Sequence, residues 1–147
     1  MTQKTQKYKV YIGCSLTYAT PEFRQAVEDL KDTLRNFCQV LDFMSIEKIP
    51  RRTPEDIYVH DIRWCVEKAD LMVAICDQPS TGLGYEMATQ IEMRGKPVLA
   101  VAQTDSLVSD LILGINKTCF EFRRYKNLAE VTAWVKEALE SIALQAV

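Results

Sequence analysis

The chain has 147 residues, 48% hydrophobic and 26% charged, and its 18 Lys and Arg against 20 Asp and Glu leave a net charge of -2. That length suits one domain, residues 1–147, burying roughly 68–70% of its unfolded surface, and the composition excludes disordered and collagen-like chains. There is no basic excess of the kind nucleic acid or anionic lipid demands, and no run approaches the ~20 apolar residues of a membrane span.

Strand and helix patterns alternate along the chain. Tyr8 to Ile12 reads as a first strand stopped by Gly13, and Pro21 opens a helix with Phe23, Ala26, Val27, Leu30, Leu34 and Phe37 on one face. Val40 to Met44 reads as a second strand, followed by a loop from Ile49 to Pro54 and a helix from Glu55 to Lys68. The apolar runs Leu71 to Cys76 and Pro97 to Ala102 are expected as central parallel strands covered on both faces. Between them a helix runs from Gly82 to Arg94-Gly95, where a cation followed by glycine marks a helix stop. A helical piece over Leu107 to Leu113, a strand over Thr118 to Phe122 and a final helix bearing Leu128, Val131, Val135, Ala138, Leu139 and Ile142 complete the pattern. The expected fold is α/β: a five-stranded parallel, doubly wound, flavodoxin-like sheet of order 2-1-3-4-5. Such sheets bind ligands beyond the strand carboxyl ends where the order reverses, which directs attention to Gly13-Cys14-Ser15 and to Asp77 through Glu86.

The polar start, Met1 to Lys9, is not of signal-peptide type, so a cytoplasmic location is expected. Cys14, Cys38, Cys65, Cys76 and Cys119 are scattered, and His60 is the sole histidine, so reduced thiols and no metal site are expected. In Ser80-Thr81-Gly82-Leu83-Gly84-Tyr85-Glu86, Gly82 and Gly84 stand in a helix start, where each costs about 1 kcal/mol relative to alanine in an interior. Either a ligand approaches the backbone there, with Ser80 or Thr81 as cap and the amides offered to an anion, or the glycines let the helix pack tightly. The helix dipole is expected to keep Glu86 ionised as a nucleophile. Asp61, bordering the apolar stripe Tyr58, Ile62, Cys65, Val66 and Ala69, is expected to be partly desolvated and suited to acid–base work. Two carboxylates in contrasting environments suggest chemistry at a glycosidic carbon. Tyr11, at the end of the first strand, could orient the nucleophile, and Ser15 and Ser80 could donate to a phosphate.

These residues carry a family resemblance. Tyr11-Ile12-Gly13-Cys14-Ser15, His60-Asp61-Ile62-Arg63-Trp64, Ala69 to Ala74, Asp77 to Ala88 and Gly95-Lys96-Pro97-Val98 together resemble the nucleoside 2-deoxyribosyltransferase family, in matching order from about Val10 to Phe122. Ser80, six positions before Glu86 and preceded by Gln78-Pro79, is similar to the branch that hydrolyses nucleoside 5'-monophosphates; transferases tend to have aspartate there. The resemblance implies that Glu86 attacks the anomeric carbon, that Asp61 handles protons of base or water, and that Tyr11 positions the glutamate. It implies that Gly13, Ser15, Ser80, Gly82 and Gly84 line the substrate, that Ser109 completes the site of a neighbouring subunit in a homodimer, and that no cofactor is needed. One departure stands out: the hydrolase branch follows the first serine with Ile-Arg-Gly-Gly, whereas Leu16-Thr17-Tyr18-Ala19 follows Ser15 here, so Tyr18 could stack on a base instead. The expected activity is hydrolysis of (2'-deoxy)nucleoside 5'-monophosphates, with base exchange by a transferase or a non-catalytic nucleotide sensor as alternatives.

Overall fold

The apolar runs form the middle of a sheet covered on both faces in the computed structural model, which describes residues 7–42 and 53–146. Its five parallel strands are β1 (Lys9–Cys14), β2 (Gln39–Leu41), β3 (Leu71–Ile75), β4 (Val98–Gln103) and β5 (Phe120–Tyr125). They lie in the order β2-β1-β3-β4-β5, the flavodoxin-like order expected. The helices are α1 (Pro21–Leu34), α2 (54–68), α3 (81–93), α4 (Asp110–Leu113) and α5 (Glu130–Gln145).

Side chains alternate between the faces of a strand, so each strand serves two cores. On one face Ile12, Val73 and Val101 meet Leu34 of α1 and Val135 and Leu139 of α5. On the other, Tyr11, Met72, Ala74 and Ala100 meet Ile62 of α2 and Leu83 of α3. Polar side chains start the helices: Thr20 accepts from the Phe23 amide at 3.1 Å, and Thr53 and Asp56 form a reciprocal capping box around Pro54. At the far end of α3, Gly95 adopts φ 61° and closes the helix where the Arg94-Gly95 pair predicted a stop.

Several boundaries differ from expectation. Gly13 does not stop β1, because the ladder to β3 pairs Gly13 with Ala74 and Cys14 with Ile75 and carries the strand onward. Tyr11 therefore lies within the strand. β5 runs to Tyr125, and the 107–113 segment becomes helical only from Asp110, with Ser109 as its cap. α2 starts as an α-helix over Pro54–Tyr58, widens into π turns over Val59–Cys65 and tightens over Val66–Lys68. The changed pitch takes Tyr58 off the buried stripe, leaving it 41% exposed while Ile62, Cys65, Val66 and Ala69 remain buried. α3 widens similarly over Thr89–Met93. The expected end of the second strand at Phe43-Met44 and the loop from Ile49 to Arg52 lie outside the described residues.

Candidate active site

Tyr11 and Gly13 are two positions apart in β1, so both face α2 and α3. Glu86 comes from the second turn of α3. Its Oε1 accepts a hydrogen bond from the Tyr11 hydroxyl at 3.0 Å, joining residues 75 positions apart. Gly13 makes that approach possible, since a Cβ there would lie 2.8 Å from Leu83 Cδ1, 2.9 Å from Glu86 Oε2 and 3.2 Å from Met72 Cε. The glycine thus seats the carboxylate directly against the sheet.

Burial there outweighs the helix dipole. The Glu86 carboxyl is pushed up to about 7, chiefly by desolvation, with the Asp61 charge adding to the rise and the Tyr11 hydrogen bond opposing it. The expectation that the dipole keeps Glu86 ionised is corrected: the dipole acts mainly within a helix's first turn, and Glu86 lies beyond it. Tyr11 is held well above the usual phenol range by its own burial and by the charges of Glu86 and Asp61, which keeps it a proton-bearing donor. Asp61, half-buried in the widened part of α2, makes its charge felt at Glu86, Tyr11 and Cys65. His60 points elsewhere, its Nε2 2.9 Å from the Asp42 carbonyl oxygen. Burial pushes Cys14 up to about 11 and Cys65 up to about 12, so neither thiol is a nucleophile near neutral pH.

A second group of predicted residues gathers along the start of α3. Ser80 caps that helix by accepting from the Leu83 amide at 3.1 Å, and Ser109 caps α4 by accepting from the Leu111 amide at 3.2 Å. Ser80, Gly84 and Ser109 line one groove of about 350 Å³ with Leu107 and Ile112. A Cβ at Gly84 would meet nothing within 4 Å, and one at Gly82 only Ser80 Oγ at 3.9 Å. Tight packing within this chain therefore does not account for either glycine. Helix geometry leaves the amides of Thr81 and Gly82 without intrahelical partners, whereas the Gly84 amide is already bonded to the Ser80 carbonyl at 3.1 Å. Ser15 is 6% exposed just beyond β1 and does not line this groove. Tyr18, on the loop after it, is 74% exposed.

Two roles within the segment from Asp77 to Glu86 escaped the sequence reading. Asp77, directly after the last buried residue of the β3 run, accepts three hydrogen bonds from β4, β5 and the loop that follows β4. Its only sequence signal is a charge ending an apolar run at the carboxyl end of a central strand. The Tyr85 ring packs edge-on against Tyr58 at 6.3 Å between centroids, beside Glu86. Among the described residues, no group of His, Cys, Asp and Glu is placed to hold a metal ion, and no helix is long and apolar enough to cross a membrane.

No family model matches the chain. It is 38% identical over 91 residues to a Thermofilum pendens protein provisionally described as a 2'-deoxynucleoside 5'-phosphate N-hydrolase 1, a match covering 60% of this chain and 61% of the relative. Proteins of the same provisional description in Methanosarcina mazei and Syntrophotalea carbinolica are 35% identical over 94 residues and 38% over 85. Those matches cover 64% and 56% of this chain, but only 52% and 57% of the relatives, so the chain spans just over half their length. Among solved structures, the Clostridium botulinum CMP N-glycosidase BcmB superposes with a TM-score of 0.64 at 18% identity, covering 87% of this chain and 98% of that one. The N-terminal domain of the nisin resistance regulator NsrR superposes with a TM-score of 0.60 at 17% identity, covering 91% and 99%. At those identities the likeness is one of fold, and a fold shared by a glycosidase and a response regulator does not choose between them.

Proposed function

We propose that this chain, homologous to the 2'-deoxynucleoside 5'-phosphate N-hydrolase proteins, hydrolyses the bond between base and sugar in (2'-deoxy)nucleoside 5'-monophosphates. The observation that carries the reading is the Glu86 carboxylate, seated in the space left by Gly13, bonded to the Tyr11 hydroxyl and near the Asp61 charge. In the form with Glu86 ionised and Asp61 protonated, Glu86 attacks the anomeric carbon as the carbon–nitrogen bond breaks, forming a glycosyl ester, and the departing base takes the Asp61 proton. Asp61 then removes a proton from water, whose oxygen attacks the same carbon and releases Glu86. Base and sugar 5-phosphate are the products, and the cycle needs no cofactor.

Ser15 and Ser80 hold the 5'-phosphate in this reading, Ser80 with the free amides at the start of α3. A second copy of the chain supports the site from outside: Leu107 and Leu111 beside Ser109 are 92% and 79% exposed, an apolar surface that a homodimer would cover. Ser109 of the partner subunit would then complete the phosphate pocket.

The test is incubation with deoxy- and ribonucleoside 5'-monophosphates and the matching nucleosides, following free base by chromatography with Glu86→Gln as control. Release from monophosphates alone, lost in the variant, is the expected result. Release only from nucleosides, with a new nucleoside on adding a second base, would identify a transferase, and saturable binding without release would identify a sensor.

A further inference from the structure

The Asp77 carboxylate is half-buried and accepts three hydrogen bonds from within the chain. Its Oδ1 accepts from the Gln103 amide at 2.7 Å and the Ser106 hydroxyl at 2.6 Å, while Oδ2 accepts from the Tyr125 hydroxyl. The same loop is gripped from β5. The Arg124 guanidinium donates to the carbonyls of Gln103 at 3.0 Å and Ser106 at 2.8 Å, and the Thr104 amide reaches the Tyr125 carbonyl at 3.0 Å. Three residues beyond Asp77 stands Ser80, and three residues beyond Ser106 stands Ser109. One carboxylate therefore roots both sides of the groove that Ser80 and Ser109 line.

We infer that Asp77 is a positioning residue: through its bonds to Gln103, Ser106 and Tyr125 it sets the spacing of the segments that lead to Ser80, which holds the phosphate in this chain's site, and to Ser109, which completes the site of the partner subunit, and so governs phosphate capture in both. The inference rests on the nucleotide-hydrolase reading above. Hydrogen bonds to an ionised acceptor are about twice as strong as neutral ones, and these tie the end of β4, the loop at Ser106 and the end of β5 to one carboxylate. None of them reaches Glu86, so loss of the latch should weaken binding and leave bond cleavage intact.

The experiment compares Asp77→Ala and Asp77→Asn with the wild type, by steady-state kinetics on the preferred monophosphate and by amide hydrogen exchange. Asp77→Ala is expected to raise KM about tenfold or more with kcat within about threefold, since an interaction equal in ground and transition state moves KM alone. Asp77→Asn should recover most of the loss, because its amide oxygen still accepts from Gln103 and Ser106. Exchange at residues 103–109 should accelerate about tenfold or more in Asp77→Ala while β1 stays protected, the pattern of a local opening. An unchanged KM, or a fall in kcat alone, overturns the positioning role while the hydrolase reading stands. Unchanged exchange overturns the latch itself, and a wild type that releases no base overturns the hydrolase reading and the substrate role together.

Discussion

Where α1 and α5 cover the sheet, the strands present Ile12, Val73 and Val101, and the helices answer with Leu34, Val135 and Leu139, all fully buried. Where α2 and α3 cover it, the strands present Gly13, Ala74, Ala100 and Ala102, and the helices bring Gln90, Thr89 and the Glu86 carboxylate. Small strand residues on the second face let α3 lie close enough for a carboxylate to touch the sheet. Both covering helices there widen into π turns, over Val59–Cys65 and Thr89–Met93, whereas α1 and α5 are regular throughout. Both faces supply burial, and the second also places polar groups in a desolvated setting.

The sharpest way to separate the faces is Glu86→Gln. Base release is expected to fall by about 10³-fold or more, as for loss of a nucleophile. Stability should move the opposite way. The folded carboxyl titrates near 7 against 4.5 for an unburied one, so between those values the native state holds a proton the unfolded chain has released. Stability thus falls as pH rises through that window, by about 3 kcal/mol when Glu86 is fully ionised. Glutamine carries no such loss. Urea melts should find the variant more stable than the wild type at pH 8 and equal to it at pH 4; equal stability at both would mean that Glu86 is not desolvated.

Two truncation-scale changes, one per face, test whether the faces are independent. Leu34→Ala leaves a cavity under α1 and should cost about 3 kcal/mol with kcat and KM unchanged. Gly13→Ala drives a methyl against Leu83 and Glu86 and should cost about 1–3 kcal/mol while lowering kcat about tenfold or more. A Leu34→Ala enzyme with altered kinetics, or Gly13→Ala with full turnover, would dissolve the distinction.

The pH profile gives a smaller effect on the same site. With Glu86 needed ionised, kcat/KM should rise with pH along a limb centred near 7. The Tyr11 hydrogen bond holds that value down, so Tyr11→Phe should move the limb to higher pH. A limb that stays in place would assign the titration to another group.

What the sequence disclosed divides along the same line. The α1 and α5 stripes and the two central apolar runs were legible, because they obey simple periodicity and simple burial, while the strand order was expected by analogy with flavodoxin-like sheets. On the other face Tyr58 was misplaced, since its position depends on a pitch change that no local pattern announces. The ionisation of Glu86 was misjudged because the dipole is local and visible in sequence, while burial depends on Gly13, 73 positions away in the chain. Tyr11, Asp61 and Glu86 were grouped by the chemistry of their residue types and assigned their roles by resemblance, as no spacing within one element joins them. Asp77 showed only a charge at the end of an apolar run, and its bonding was hidden because each of its donors comes from at least 26 positions away.

Gly84→Ala produces the smallest change and bears most directly on what the groove is for. Gly84 and Gly13 both serve the second face, yet an added methyl collides at Gly13 and meets open space at Gly84. A helical glycine costs about 1 kcal/mol relative to alanine, so Gly84→Ala should stabilise the free protein by roughly 0.5–1 kcal/mol, raising Tm by about 2–4 °C. A sequence that retains the glycine has a use for the space. If substrate lies against the start of α3, KM for the monophosphate should rise severalfold in this more stable variant while kcat holds, a combination that damage to the fold cannot produce. A stabilised variant with unchanged KM, measured beside a Gly13→Ala enzyme that has lost turnover, would restrict the reacting site to Tyr11, Gly13, Asp61 and Glu86 and leave the groove to the second subunit.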